Sequence, residues 1–242
     1  MTDILQTEGS LLRNEDFSRR SLSLFESRGS HFEDCSFDGI VIRRCCFGIG
    51  DKESHYIRCR FDRARIRFDM GQNARFVECS FRGVDLRDWF CFSLELIDCV
   101  FSGRLRKAFF NGTVPEFLTQ EIGRERNEVT GNDFTAMSLE DVAFRTGIDL
   151  SQQRLPVGTR YLYIAHAEAT LQQARKTLLE FDEGDDTRRA VQLIDSMIEY
   201  DLSGGQQQLF LQKDNYLSWG RRPVDLAFAV LKSAIQASGR DA

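Results

Sequence analysis

Through most of this chain one residue in five is apolar, in register. Stepping by five from Leu12 meets Phe17, Leu22, Ser27, Phe32, Phe37, Ile42 and Phe47. The frame slips by four residues and resumes at Tyr56, Phe61, Ile66, Gly71, Phe76, Phe81, Leu86, Cys91, Leu96 and Phe101. It returns at Phe134, Leu139 and Phe144. Nineteen of these 21 positions are apolar, where a chain of 42% apolar content would give about nine by chance.

The position two before each of these is mostly small or apolar as well, as at Cys35, Ile40, Cys45, Cys59, Ala64, Cys79, Val84 and Cys99. A five-residue unit with two inward positions fits neither a helix, with period 3.6, nor a plain strand, with period 2. It fits a chain that turns a corner every five residues. A second period of twenty marks the closed turn: Cys59, Cys79 and Cys99 are 20 apart, as are Phe61, Phe81 and Phe101. With the four-residue slip the series reaches back to Cys35 and Phe37. Four five-residue sides make one coil, and coils stack at the inter-strand distance of about 4.8 Å, each covering the core of the next.

The units Val84-Asp85-Leu86 and Asn132-Asp133-Phe134, with the looser strings CSFDG, CRFDR, CSFRG and CVFSG, resemble the pentapeptide-repeat family. The resemblance spans residues 12–156 and implies a right-handed quadrilateral β-helix of about six coils. The fold class expected is therefore mainly β with an α appendage. The core ladder is Cys35, Cys59, Cys79 and Cys99 with Phe37, Phe61, Phe81 and Phe101. Residues 1–11 read as an N-terminal tail. Two insertions, residues 48–55 (GIGDKESH) and 112–131, interrupt the frame, and the second holds a short helix starting near Pro115. Asp69 and Trp89 occupy inward slots that suit neither a charge nor so large a ring.

After Pro156 the spacing becomes helical. Ile164, Ala167, Leu171, Ala174, Leu178 and Phe181 form a narrow seam. The run from Glu183 to Asp186 breaks it, with Asp186 as a candidate cap, and a last helix follows Pro223. Residues 157–242 are thus a C-terminal helical region, suited to closing the β-helix or forming a homodimer.

Little here points to chemistry. The three histidines, His31, His55 and His166, form no metal or triad pattern. The cysteines sit inward, Cys46 excepted, and read as small core hydrophobes. Gly204-Gly205-Gln206 reproduces the tripeptide of peptide-release factors without supporting context. No cofactor, metal or catalytic residue is expected, and the chain reads as non-enzymatic. No apolar run approaches the roughly 20 residues of a bilayer span. The acidic N-terminus is not a secretory signal, and unpaired cysteine spacing fits reduced thiols, so a cytoplasmic location is expected.

One surface feature stands apart. Arg43, Arg67, Arg87 and Lys107 are expected in the same outward slot of successive coils, with Arg65 and Arg44 beside them. Like charges stacked at that spacing repel by around 1 kcal/mol per pair even in water, unless acids such as Asp85 and Asp88 or a ligand offset them. The face is a candidate for an acidic or anionic partner. A protein-interaction scaffold is the leading expectation. The family resemblance also implies an alternative, a DNA mimic that binds gyrase and protects from topoisomerase poisons. That role wants an acidic rod, yet residues 12–111 carry 18 basic and 15 acidic groups. Nucleic-acid binding through the column is disfavoured by a pI near 5.4.

Overall fold

The computed structural model describes residues 3–69, 73–182 and 184–238. The frame position Gly71 and the helix-breaking Glu183 lie outside the described residues, as do the first two residues of the expected tail. The chain divides into two compact units. One is residues 1–144 with 151–156, the other residues 145–150 with 157–242.

The first unit is a β-solenoid, with about five turns over residues 3–110. Its early strands are β1 (Asp3–Glu8), β2 (Leu11–Arg13), β3 (Ser21–Arg28), β4 (His31–Glu33), β5 (Val41–Cys46), β6 (Ser54–Ile57) and β7 (Arg65–Phe68). Then follow β8 (Asn73–Val77), β9 (Ser80–Cys91), β10 (Ser93–Ile97) and β11 (Val100–Asn111). After helix α1 (Glu116–Ile122), β12 (Val129–Thr130) and β13 (Asp133–Arg145) rejoin the stack. Among the described residues one sheet runs β1-β3-β5-β7-β9-β11-β13 and a second β12-β10-β8-β6-β4-β2. The odd-then-even order follows from a chain that visits each side once per coil.

Backbone dihedrals mark the corners. Left-handed residues recur every five positions: Gly9, Asn14 and Arg19; Gly29, Asp34 and Gly39; Glu78, Gly83 and Asp88. Asn and Asp tolerate this conformation better than other non-glycine residues, which accounts for Asn14, Asp34, Asp88 and Asp98 at corners. One set of corner amides, Asn14, Asp34, Arg58, Glu78 and Asp98, donates to carbonyls of the following coil at 2.9–3.0 Å. The bends thus leave those donors satisfied.

Inside, aromatic rings stack coil on coil. Phe37, Phe61, Phe81 and Phe101 lie ring over ring at 4.7, 4.7 and 4.9 Å, and Phe134 continues at 4.6 Å. Phe32, Tyr56 and Phe76 form a second stack at 4.7 and 4.6 Å. Cys35, Cys59, Cys79 and Cys99 are buried beside them. Burial pushes the Cys45, Cys79 and Cys91 thiols well above the ordinary range, which keeps them from being thiolate nucleophiles. Ser27, the polar exception in the frame, is fully buried and donates to Ser54 at 2.8 Å.

Several sequence expectations need correction. The tail assigned to residues 1–11 is not outside the coils, because β1 pairs with β3 and Arg20 holds Asp3 at 2.6 Å. Trp89 is accommodated by size: it is fully buried, stacked on Phe68 at 4.4 Å and opposite the small Ala108, with its indole N–H left without a hydrogen-bond partner among the described residues. Asp69 is not inward, and pairs with Arg44 at 2.8 Å. Cys46, outside the inward frame, is nevertheless buried. Ser54 and His55 belong to β6, so the first loop ends before them.

The second unit is built from β14 (Tyr161–Ile164), α2 (Ala167–Leu179), α3 (Asp185–Ser196), β15 (Leu209–Gln212) and α4 (Arg221–Ser238). Its core joins Leu171, Ala174 and Leu178 of α2 to Leu193 and Ile194 of α3 and Ala227, Phe228 and Leu231 of α4. Ile164 lies in β14, which pairs antiparallel with β15, and not in the helix its spacing implied. Gly184, not Asp186, is the N-cap of α3, while Asp185 and Asp186 sit in the first turn against its dipole.

Candidate functional site

The outward residues of β5, β7, β9 and β11 form one side of the solenoid. On the inside of that side, Ile42, Ile66, Leu86 and Leu105 align and are buried. This pins the outward slots to either side of them. One outward row is Val41, Arg65, Asp85 and Arg104. The other holds Arg67, Arg87 and Arg106 in direct register, with Arg43 in the corresponding segment of β5.

The register excludes Lys107 from this row. Phe101 faces Phe81, yet Gly103 faces Val84, so the chain drops one residue between them. Every later position is offset by 19, and Arg106, not Lys107, lies against Arg87. Lys107 takes the corner, with φ 54°. Gly103 carries the signal: a side chain there would collide with the Val84 backbone, which marks a shortened side.

Arg43, Arg65, Arg67, Arg87 and Arg106 surround a shallow depression of about 400 Å³, with Asp85, Val41, Ile42 and Ile66. Two of the five cations are neutralised: Arg67 pairs with Asp88 at 3.0 Å and Arg106 with Asp85 at 2.6 Å. The side chains of Arg43, Arg65 and Arg87 make no hydrogen bond or ion pair among the described residues. Arg44 turns away to Asp69, whose carboxylate raises the arginine's already high pKa. Three guanidinium groups therefore face solvent on one rigid side with no counter-charge of their own.

The two insertions, far apart in sequence, meet on a different side. Arg124 of the second bonds Glu53 of the first at 2.5 Å and the Ser93 carbonyl at 2.8 Å. Glu95, almost fully buried, accepts from Arg75 and from the Glu128 amide. Asn127 donates to the carbonyls of Phe92 and Asn111, both at 2.9 Å. His55 reaches Glu53 at 3.3 Å and stacks on His31 at 5.7 Å. The insertions are thus bonded to the strands beneath them. No periodicity could have shown this, because the partner residues are 71 positions apart.

Gly204-Gly205-Gln206 has a structural use. The buried Gln206 side chain accepts from the Gly147 and Ile148 amides at 3.0 and 3.1 Å and donates to the Ile148 and Gln208 carbonyls at 3.0 and 2.7 Å. All its side-chain capacity is spent inside the protein. Among the described residues no three His, Cys, Asp or Glu side chains are gathered as a metal site.

The corner every fifth residue and the stacked coils decide the architecture. This is a β-solenoid that turns a corner every five residues. No family model matches the chain, and no curated protein does. Solved structures of QnrB1, a plasmid-mediated fluoroquinolone resistance protein, do match. A trypsin-treated form is 14% identical, with 62% of this chain and 81% of that one covered and a TM-score of 0.24. The full-length form is 15% identical, with 64% and 82% covered and a TM-score of 0.18. At these values the likeness carries no argument about function.

Proposed function

We propose that the chain is a non-enzymatic protein-interaction scaffold whose solenoid presents the arginine side to a protein partner. The observation that carries this reading is the unpaired state of Arg43, Arg65 and Arg87 on a rigid face. Arg87 lies between Arg67 and Arg106 in one outward row, with Arg43 in the corresponding segment of β5, while Arg65 stands beside Val41 and Asp85 in the other. Like charges stacked in one row repel unless a counter-charge offsets them. A rim of charge of this kind steers a complementary partner and fixes its register.

The reading as a DNA mimic that binds a topoisomerase gains nothing from this face, whose charge has the wrong sign. No helix of the described residues is long and apolar enough to cross a membrane. A cytoplasmic location and a homodimer formed through the C-terminal helices are further parts of the proposal. The test is capture by the full chain of protein partners from its native cell, with cross-links mapped on both sides. Cross-links clustering on β5, β7, β9 and β11 support the reading. A chain that captures no protein at stoichiometric yield contradicts it.

A further inference from the structure

We infer that the arginine depression receives an acidic peptide segment in which an apolar side chain is flanked by carboxylates. The inference rests on the scaffold reading and names the partner chemistry of that same face. Two features of the lining select this class.

The first is charge that is both unpaired and divided. Arg65 stands in one outward row, and Arg43 and Arg87 in the other, across the buried Ile42–Ile66–Leu86 row. A guanidinium is a planar fork whose geometry matches a carboxylate bidentately, so each unpaired arginine is a receptor for one acidic group. Two separated rows receive two separated carboxylates better than one compact anion.

The second is the apolar surface between them. Val41, 36% exposed, is the apolar side chain open to this depression, while the side chains of Ile42 and Ile66 at its border are buried inside the coil. The exposed Val41 methyls offer nothing to a sugar–phosphate backbone and give a Leu or Val side chain a surface to cover. About 400 Å³ holds a few side chains. The neighbouring positions do not extend the positive charge into a track: Arg104 is tied to Glu140 at 3.4 Å, Arg44 to Asp69, and Asp85 and Asp88 stand within the face. A nucleic acid, whose affinity grows with the number of phosphates neutralised, would meet carboxylates there.

The probe is a fluorescein-labelled peptide, Gly-Glu-Glu-Leu-Asp-Glu-Gly, titrated with the full chain at low salt and followed by anisotropy. Its comparators are the same peptide with Gly for Leu and a 20-nucleotide oligodeoxythymidine. The expected result is binding to the Leu peptide that falls about tenfold in Arg65→Glu and in Arg87→Glu. It falls several-fold when Leu becomes Gly, and Arg222→Glu in the second unit leaves it unchanged. Far-UV circular dichroism checks folding, and Arg87→Gln replaces any reversal that fails to fold. Three results overturn the inference: equal binding of the Gly peptide, tighter binding of the oligonucleotide, or unchanged binding by well-folded Arg65→Glu and Arg87→Glu. If the peptide fails while protein partners still cross-link to β5, β7, β9 and β11, the acidic-peptide inference falls and the scaffold reading stands.

Discussion

The solenoid and the helical unit solve the burial problem in opposite ways. In the solenoid every core residue meets its counterpart one coil away, as Phe61 meets Phe37 and Phe81 at 4.7 Å on either side. In the helical unit Leu171, Leu193 and Leu231 come from three elements to one shared cluster. The first core is a stack of near-neighbour contacts and the second a single cooperative knot. One consequence is that outward residues of the solenoid inherit a fixed spacing, which lets like charges be lined up against their own repulsion. A helical cluster offers no such ruler.

The largest effect that sharpens this contrast is Phe61→Ala. Removing a fully buried ring from the middle of the stack should cost about 3–5 kcal/mol in denaturant unfolding. Hydrogen exchange should quicken first at the Phe37 and Phe61 amides, which bond to the next coil. A uniform rise across all coils would contradict a nearest-neighbour core. Gly48→Ala comes next. Its new methyl would collide with the Asn73 backbone, which is not a flexible side chain that can yield, and about 1–3 kcal/mol is expected from the same measurement. In the helical unit, Gln206→Ala strands the Gly147 and Ile148 amides and should cost about 1–3 kcal/mol. An unchanged denaturation midpoint would show the bracket to be dispensable.

Acid separates the units more gently. In the solenoid, hydrogen bonds from Arg58 hold Glu33 and Asp34 below their ordinary values of 4.5 and 3.8. Depressed carboxylates contribute stability above the unfolded value that is lost as pH falls through the folded one. The solenoid should therefore soften between about pH 5 and about pH 3, and Arg58→Ala should flatten that slope. In the helical unit burial raises Asp201, a contribution present at low pH and lost as pH rises through the folded value, while Lys213 lowers Asp225. These opposed shifts predict a flatter acid response there. A steeper one, followed by tryptophan fluorescence and helical dichroism, would break the contrast.

The same contrast explains what was legible in the sequence. The stack of Phe37, Phe61, Phe81 and Phe101 was readable because a period of twenty repeats one environment. Counting put Arg67 and Arg87 in one slot, and the register pairs them directly, with Arg65 in the row beside them. Arg106 was missed, because a single dropped residue before Gly103 changes the spacing from 20 to 19 while the Cys-x-Phe motif above it stays intact. Val41 as an apolar floor was not legible, since its exposure depends on its neighbours' side chains. In the helical unit the helices were readable from the seam, but β14 and β15 were not: four-residue strands are too short for a period, and their pairing spans about fifty residues. The bracket of Gln206 and the meeting of Glu53 with Arg124 depend wholly on tertiary contact.

On the scaffold reading, the arginine row is held against the solenoid's own stability for the sake of a partner. Arg87→Gln tests it most directly, with unfolding and binding of the Glu-Glu-Leu-Asp-Glu peptide measured on the same protein at low salt. A higher denaturation midpoint is expected, because stacked repulsion is relieved, together with weaker peptide binding, both differences shrinking as salt screens the row. A lower midpoint with unchanged peptide binding would contradict it.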